Sequence, residues 1–222
     1  MIDIVNVIGT GRVGSAVTAR LDERGVAVRA DGAGLVLLCV PDAAIAEVAA
    51  SVEPGPWVAH VSGATPLAAL APHERRFSVH PLQTFTRDGG AAQLDGAWGA
   101  VTAGDDEAHA VGLWLAETLG LRPFDLADSA RTLYHAGAVF ASNYVVTMQR
   151  AAALLFAEAG APVEALEPLI RRTVDNGFEL TGPVARGDWE TVARHLAEIR
   201  ARVPQLDHLY ETVAGATLAI AR

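Results

Sequence analysis

Two histidines and a serine stand where strand-like segments of the chain end, and side chains of these types transfer protons and bind polar substrates. His60 and Ser62 close the apolar segment Trp57–Ser62, and His80 closes the segment Phe77–His80. Residues two apart in a strand share a face, so His60 and Ser62 point the same way. Ligands of open α/β sheets bind at the carboxyl ends of strands. These positions predict a polar site there, with a buried structural role for each histidine as the alternative.

A second polar set lies on one predicted helix. His135, Ser142 and Asn143 are spaced i, i+7 and i+8 in a long apolar helical pattern, Ser129–Ala159, which Gly160 closes. That spacing places the three side chains on one face within about two turns. Polar groups on a buried face cost free energy unless they are partnered. The stripe therefore predicts either a surface that faces a substrate or hydrogen bonds between helices of the same domain.

The start of the chain indicates phosphate binding. A G-x-G-x-x-G pattern, residues 9–14, lies between a strand-like run, Ile4–Ile8, and a helical pattern, Arg12–Arg24. In this context the glycines permit a tight turn, close approach of a pyrophosphate and close packing of helix on strand. The helix N-terminus offers free N–H groups to the anion. The predicted cofactor-binding residues of the turn are Gly9, Thr10, Gly11, Arg12, Val13 and Gly14.

Strands and helices alternate through the first half of the chain. The strand-like segments are Ile4–Ile8, Val26–Arg29, Leu35–Val40, Trp57–Ser62, Phe77–His80, Ala97–Ala103 and Leu121–Leu126. Helical patterns separate them at Arg12–Arg24, Asp42–Ser51, Pro66–Ala71 and Asp105–Leu119. This alternation predicts an α/β fold, a parallel sheet with helices on both faces.

The strand signals stop after Asp128, and the rest of the chain is helical. After the long helix come Val163–Phe178, in which Pro168 predicts a kink or a break, a helix from Asp188 to about Val203, and a last one from Pro204 to Ala221. We therefore predict a truncated Rossmann-type parallel sheet domain, residues 1–127, followed by an all-α domain, residues 128–222.

The predicted Rossmann-type domain lacks the helix and strand that usually follow its second strand. The adenosine ribose of a dinucleotide normally meets an acidic residue about 20 residues past the glycine motif, and Asp31 is the candidate. The next buried strand, Leu35–Val40, begins only four residues later. Ala30–Gly34 spans at most ~17 Å, too little to return along a full strand and step sideways. Val26–Arg29 is therefore predicted to be a very short strand or a connector. We expect weakened, altered or lost dinucleotide affinity, unless residual contacts or a partner subunit suffice.

Composition excludes several classes of protein. The 222 residues are 51% hydrophobic and 19% charged, which indicates a globular chain, and the net charge of −9 argues against nucleic acid or an anionic membrane as partner. Cys39, the only cysteine, excludes an internal disulfide. Without a membrane-spanning run or a signal-peptide pattern, the expected location is cytoplasmic. The chain lacks His-Glu-x-x-His, Cys-x-x-Cys and Gly-x-Ser-x-Gly, so no metal site or serine hydrolase is predicted.

Six segments together resemble a bacterial family of Rossmann-like proteins, named as oxidoreductases, that carry a C-terminal helical domain of unknown function. The family is related to pyrroline-5-carboxylate reductase, ketopantoate reductase and the wider 6-phosphogluconate dehydrogenase superfamily. The segments cover nearly the whole chain in order, and they are Gly9–Gly14, Leu37–Asp42, His60–Ala64, His80–Phe85, Tyr134–Tyr144 and Leu180–Asp188.

The resemblance implies a dehydrogenase or reductase that uses NADP or NAD and holds a small substrate between its domains. Nicotinamide is expected near the glycine turn, Val40 and Pro41. His135 and Asn143 have the spacing of a catalytic lysine and asparagine in the ketopantoate reductase branch. His135 is thus the expected proton donor, because an imidazole exchanges protons near neutral pH, and Asn143 is expected to orient the substrate. Relatives often form homodimers through their helical domains.

Two functions follow from this reading. The first is an NAD(P)-dependent oxidoreductase acting on a small carbonyl or imine compound, with His135, Asn143, His80 and Ser62 as its catalytic-site residues. The second is a decayed Rossmann-like module that binds or senses a small ligand with little or no dinucleotide affinity. The polar cluster favours the first and the short segment around Asp31 the second. The choice between NAD and NADP stays open, since Asp31 repels a 2′-phosphate and Arg12 and Arg29 offset that repulsion.

Overall fold

The computed structural model describes residues 2–220 and shows a seven-stranded sheet followed by a group of helices. The strands are β1 (Ile4–Ile8), β2 (Ala27–Val28), β3 (Leu35–Leu38), β4 (Trp57–His60), β5 (Arg76–Leu82), β6 (Trp98–Ala103) and β7 (Arg122–Asp125). Their order in the sheet is β2-β1-β3-β4-β5-β6-β7, and every neighbouring pair is parallel except β5 and β6. The predicted fold, an α/β Rossmann-type sheet followed by helices, is confirmed.

Apolar runs form the centre of the sheet. All four residues of β3 and all four of β4 are buried, as in parallel strands that are covered on both faces. The first face packs against α1 (Arg12–Glu23) and α3 (Asp106–Thr118). The other packs against α2 (Ile45–Ala50) and a 3₁₀ turn, Leu67–Leu70, the segment predicted as a short helix. With both faces covered, the carboxyl edge of the parallel strands is left to carry polar groups.

The segment after α1 is shortened in the way the chain's reach predicts. β2 has two residues and lies beside the start of β1, with Val28 opposite Val5. On the other side of β1, Leu35 also pairs with Val5. Because β2 ends opposite Val5 and β3 begins opposite the same residue, the link between them does not have to return along the length of a strand. Six residues, 29–34, complete the crossing, and the carboxyl half of β1 has no β2 residue beside it.

The described residues divide into two compact units, with the division between Phe140 and Ala141. The sequence predicted a boundary earlier, after residue 127. Residues 128–140 group with the sheet because α4 (Arg131–Val139) opens with Arg131, whose buried side chain bonds to strand residues.

The second unit contains five helices within the described part of the chain: α5 (Val145–Glu158), α6 (Leu166–Asp175), α7 (Pro183–Arg186), α8 (Trp189–Arg202) and α9 (Asp207–Ile220). The predicted helix is divided into a 3₁₀ turn, Val163–Ala165, and α6, which begins at Leu166. Pro168 lies in the first turn of α6, where a proline loses no helical hydrogen bond. Ala221, the last residue of the predicted final helix, lies outside the described residues. No helix in the range 2–220 is long and apolar enough to cross a membrane.

Candidate active site at the carboxyl edge of the sheet

The turn after β4 is held together by the Ser62 hydroxyl. Ser62 Oγ accepts the N–H groups of Ala64 at 3.2 Å and Thr65 at 3.0 Å, and it lies 2.9 Å from Thr65 Oγ1. It donates to Asp42 Oδ2 at 2.8 Å. Asp42 follows β3, so this bond joins the ends of two neighbouring strands. Ser62 therefore shapes the edge of the sheet, and its hydroxyl is already committed to neighbouring protein groups.

His60 is a fully buried and neutral histidine. Its Nδ1 accepts the Ser62 N–H at 3.2 Å, which leaves the ring proton on Nε2. Burial, with the charges of Arg131 and His80 adding to it, lowers the pKa of His60 to about 3. Within the described residues Nε2 has no hydrogen-bond partner. His60 thus stays uncharged at physiological pH and helps to fix the turn that precedes Gly63.

Arg131 is a buried cation that sequence reasoning missed. Only 1% of its surface is exposed. Nη1 donates to Ser78 Oγ at 2.6 Å and to Thr102 Oγ1 at 2.9 Å, and Nη2 donates to the Ser62 carbonyl. Burial lowers the pKa of Arg131, and the nearby Asp128 carboxylate, 4.0 Å from Nε, opposes that effect. The guanidinium anchors the first turn of α4 to the sheet, which places the residues one turn later.

His80 and Tyr134 form a close pair. His80 Nδ1 lies 2.7 Å from Tyr134 Oη, and the two rings meet edge to face. Burial lowers the pKa of His80 to about 4, an effect that His135 and Arg131 increase and Asp42 opposes. Burial also raises the pKa of Tyr134 to about 12. At neutral pH both groups are uncharged, so the contact is a neutral hydrogen bond.

His135 meets His80 above Gly63. The two imidazole centroids are 6.1 Å apart with an interplanar angle of 76°. A Cβ built on Gly63 comes 2.7 Å from His135 Cδ2 and 2.9 Å from His80 Nε2. Only a glycine at residue 63 leaves room for both rings. The structure thus brings His80 and His135, predicted from separate segments, into one half-buried cluster.

The glycine turn has the shape that a pyrophosphate requires. Gly9 has φ +118°, and a Cβ on it would lie 2.3 Å from the Cys39 carbonyl oxygen. A Cβ on Gly14 would lie 2.0 Å from the Gly9 oxygen, whereas one on Gly11 would meet nothing within 4 Å. Gly11 therefore faces open space at the N-terminus of α1, where backbone N–H groups lack helical partners. The residues present fit a bound diphosphate.

The other residues of the predicted cofactor site surround this turn. Thr10 presents its carbonyl to Ser15 Oγ at 3.1 Å, and Arg12 Nη1 lies 3.4 Å from the Phe85 carbonyl oxygen. Val13 packs on the core beneath the turn and Val40 on the core of the opposite face. Beside the turn, burial raises the pKa of the Cys39 thiol to about 12, which keeps it protonated.

A continuous row of contacts runs from the glycine turn to the histidines. Gly9 packs on Cys39, and the chain continues through Val40 and Pro41 to Asp42. Asp42 bonds to Ser62, and Gly63 follows against the two imidazoles. All of these residues belong to the first unit. The row places the glycine turn and the histidine cluster on one edge of the sheet.

This row of contacts in the first unit does not include two of the predicted residues. Asp31 lies in an exposed turn. The next residue, Gly32, is beside Ile4, since a Cβ built on Gly32 would lie 3.6 Å from Ile4 Cδ1. That position is at the start of β1, whereas the glycine turn follows its end at Ile8. Asn143 lies in a π-helical turn, Phe140–Tyr144, and belongs to the second unit. Ser142 shares that turn, so the regular α-helical spacing that predicted the stripe is interrupted there.

Tyr134, Gly63 and Arg131 carried signals that a closer reading of the sequence could have used. Arg131 and His135 are four residues apart, one helical turn, and Tyr134 adjoins His135. Gly63 directly follows the predicted strand end at Ser62, where a glycine indicates close approach of another group. The partners Ser78 and Thr102 carried no such signal, because their pairing across β5 and β6 depends on the sheet register.

Residues 97–217 match the family model described as "Domain of unknown function (DUF2520)". The chain belongs to this DUF2520 family. No curated protein is similar enough to count as a relative.

Three solved structures share the whole fold. The Bacteroides fragilis protein BF3122, which bears the name "putative NADP oxidoreductase", is 23% identical with a TM-score of 0.82, covering 98% of both chains. Protein TM1727 from Thermotoga maritima is 22% identical with a TM-score of 0.77, covering 98% of this chain and 97% of that one. The 1-pyrroline-5-carboxylate reductase of Streptococcus pyogenes is 15% identical with a TM-score of 0.60, covering 98% and 97%. The fold of this DUF2520 chain is that of Rossmann-type oxidoreductases.

Proposed function

We propose that the protein is an NAD(P)-dependent reductase of a small carbonyl or imine compound. The observation that carries this proposal is the placement of His135 against His80 and Gly63, at the end of a row that begins in the glycine turn. A reductase needs a site for the dinucleotide and a proton donor on the same edge of the sheet. The names of two structural neighbours, an NADP oxidoreductase and a pyrroline-5-carboxylate reductase, support the same chemistry.

The glycine turn would hold the diphosphate of the cofactor. Gly11 leaves space for it, the first N–H groups of α1 would bind its oxygens, and Arg12 lies in the same turn. Val40 and Pro41 follow β3 beside this turn, where they would border the nicotinamide. A bound reduced nicotinamide supplies a hydride, that is two electrons and a hydrogen nucleus, to the substrate carbon.

His135 would supply the proton that completes the reduction. As the carbon gains hydride, the π electron pair of the C=O or C=N bond moves to oxygen or nitrogen. That atom takes the proton from protonated His135, giving an alcohol or an amine and a neutral imidazole, which regains its proton from water. His80 and the turn built by Ser62 hold this ring in place. Asn143 is proposed to orient the substrate.

The direct test is turnover of small 2-keto acids and cyclic imines with NADPH or NADH, followed by loss of nicotinamide absorbance. His135→Ala should lower kcat about 10²- to 10⁴-fold, the usual contribution of a general acid, and leave the cofactor Kd unchanged. His208→Ala, at an exposed position outside the cluster, is the control and should keep full activity. Full turnover in His135→Ala would overturn the assignment.

One observation favours the second candidate, a ligand-binding module. The two-residue β2 leaves the carboxyl half of β1 uncovered on the side where adenosine normally lies. If the adenosine contacts are lost, the glycine turn would still bind a smaller phosphate compound. This candidate predicts binding of a mononucleotide such as nicotinamide mononucleotide, little or no binding of NADPH or NADH, and no turnover.

We also propose that the helical unit pairs with a second copy of the chain. Its helices expose large apolar side chains to a degree that a stable isolated surface rarely shows. Among the described residues of this unit the most exposed are Leu154, Leu169, Val174, Phe178, Val146 and Ile220. A homodimer that buries such residues has the apolar interface expected of an obligate pair.

A further inference from the structure

The hydrogen bond between Tyr134 and His80 determines where His80 carries its ring proton. The two atoms, Tyr134 Oη and His80 Nδ1, are 2.7 Å apart, so one hydrogen lies between them. Either the phenol donates and Nδ1 accepts, or Nδ1–H donates and the phenol oxygen accepts. In the first arrangement the single ring proton of a neutral His80 is on Nε2, and in the second it is on Nδ1.

The surroundings favour donation by the phenol. A neutral imidazole nitrogen is a stronger acceptor than a phenol oxygen, and burial keeps the Tyr134 hydroxyl protonated by raising its pKa to about 12. If Nδ1–H were the donor, the phenol proton would need another acceptor. Phe124, which also meets Tyr134 edge to face at 5.9 Å, offers no oxygen or nitrogen to accept that proton.

The second nitrogen of His80 lies where the reaction is proposed to occur. His80 Nε2 and the adjoining Cε1 are the ring atoms on the Gly63 side, each 2.9 Å from a Cβ built on that residue, and His135 Cδ2 approaches the same point at 2.7 Å. A hydrogen at Nε2 therefore lies beside the proposed proton donor. The charged or titratable groups around His80 are His135, Arg131 and Asp42, together with Tyr134 and the buried, neutral His60.

We propose that Tyr134 is a positioning residue that donates its hydroxyl proton to His80 Nδ1, and that His80 thereby presents a fixed Nε2–H to the substrate atom that becomes negative. This inference rests on the proposed reductase function. His80 then stabilises the charge that develops on the substrate oxygen or nitrogen while His135 transfers the proton. A preorganised neutral donor of this kind favours the transition state without itself losing a proton.

The test is a ¹⁵N NMR spectrum of the full chain with labelled histidine at neutral pH, without cofactor or substrate. The His80 signals are assigned by their loss in His80→Gln. In the native protein Nε2 should be protonated, and Nδ1 should be unprotonated with the shift of a hydrogen-bonded acceptor. In Tyr134→Phe the Nδ1 signal should move to the position of an unbonded nitrogen, and the kcat of reduction should fall about tenfold, the size of one ordinary hydrogen bond, at unchanged KM.

The helical unit supplies a matched control. His195 Nδ1 lies 2.7 Å from Tyr210 Oη, with the rings edge to face, as in the His80 pair. Tyr210→Phe should move the His195 signals and leave those of His80 unchanged. A proton at Nδ1 of native His80, or an unchanged Nδ1 signal in Tyr134→Phe, would overturn the inference. Because the spectrum needs no ligand, the native tautomer tests the inference even where Tyr134→Phe does not fold. A correct tautomer in a protein without turnover would instead count against the reductase function alone.

Discussion

Gly63 lies so close to His135 that a Cβ on residue 63 would come 2.7 Å from His135 Cδ2. The same Cβ would lie 2.9 Å from His80 Nε2. Gly63, His80 and His135 come from three different segments of the chain. The absence of a side chain at residue 63 is thus what lets β5 and α4 bring their imidazoles together. The cluster depends on this contact as much as on the histidines themselves.

Gly63→Ala should therefore push the two rings apart and strain the turn. We expect a loss of about 1–3 kcal/mol in the free energy of unfolding, typical of overpacking, and a large loss of any reductase turnover. Chemical denaturation measures the first effect. Gly104→Ala is the matched control, since a Cβ there meets nothing within 4 Å, and its stability should stay within about 0.5 kcal/mol of the native value. Equal stability of Gly63→Ala and Gly104→Ala would show that the two imidazoles can move apart without any loss of stability.

Arg131→Met should destabilise the first unit strongly. The change leaves Ser78 Oγ, Thr102 Oγ1 and the Ser62 carbonyl without their buried donor. Each buried group left without a donor costs about 1–3 kcal/mol, so a loss of at least about 3 kcal/mol in unfolding free energy is expected. Arg171→Met removes an exposed ion pair to Glu167 and should change stability by less than about 1 kcal/mol. Similar losses in both variants would contradict the anchoring role of Arg131.

Stability should fall as the pH drops from about 6.5 towards 3, because His60 binds a proton in the unfolded chain but not in the buried site. Its pKa is lowered from 6.5 to about 3 on folding, so the unfolded state holds more protons throughout that window. The expected cost from His60 at the acid end is about 3–5 kcal/mol. Denaturation curves from pH 7 to pH 4 measure it.

His60→Asn is the variant that isolates this effect. The asparagine oxygen can accept the Ser62 N–H in place of Nδ1 and does not titrate, so the acid-side loss of stability should be smaller. His208→Asn changes an exposed histidine and should leave the pH dependence as it is in the native protein. An unaltered acid profile in His60→Asn would place the titrating group elsewhere.

Leu169→Glu should separate the proposed dimer. Leu169 is 59% exposed on α6, and a charge in an apolar interface is costly to bury. Sedimentation equilibrium should give twice the mass of one chain for the native protein and the mass of one chain for the variant. Arg172→Gln, on the same helix, replaces one polar side chain by another and should remain dimeric. A native protein that sediments as a single chain would contradict the proposal directly.

The sequence predicted the fold well where physical limits on the chain were tight. The reach of residues 30–34 excluded a full second strand, and the structure shows why the link suffices: Val28 and Leu35 flank the same residue, Val5. The short, continuous apolar runs of β3 and β4 are typical of parallel strands that are buried on both faces. Asp31 was assigned by its distance from the glycine motif, a rule that assumes a full second strand.

The candidate site was predicted only in part, because side-chain contacts depend on register. His80 and His135 were identified from strand ends and helix spacing, and Ser62 from its position after β4. Tyr134 and Arg131 act through atoms on other elements, His80 Nδ1 and the Ser78 and Thr102 hydroxyls. Which residues face one another across β5 and β6 follows from the folded sheet and from no local pattern. Periodicity alone therefore left these partners unassigned.

The proposed reductase function requires the shortened first unit to bind a nicotinamide dinucleotide, and calorimetric titration with NADPH and then NADH at low salt tests this most directly. We predict a Kd in the micromolar range for at least one of them. In Gly11→Asp, a substitution that meets open space, the added carboxylate should abolish binding with unfolding unchanged. Absence of binding to the folded native protein would contradict the reductase account and leave the ligand-binding module as its replacement.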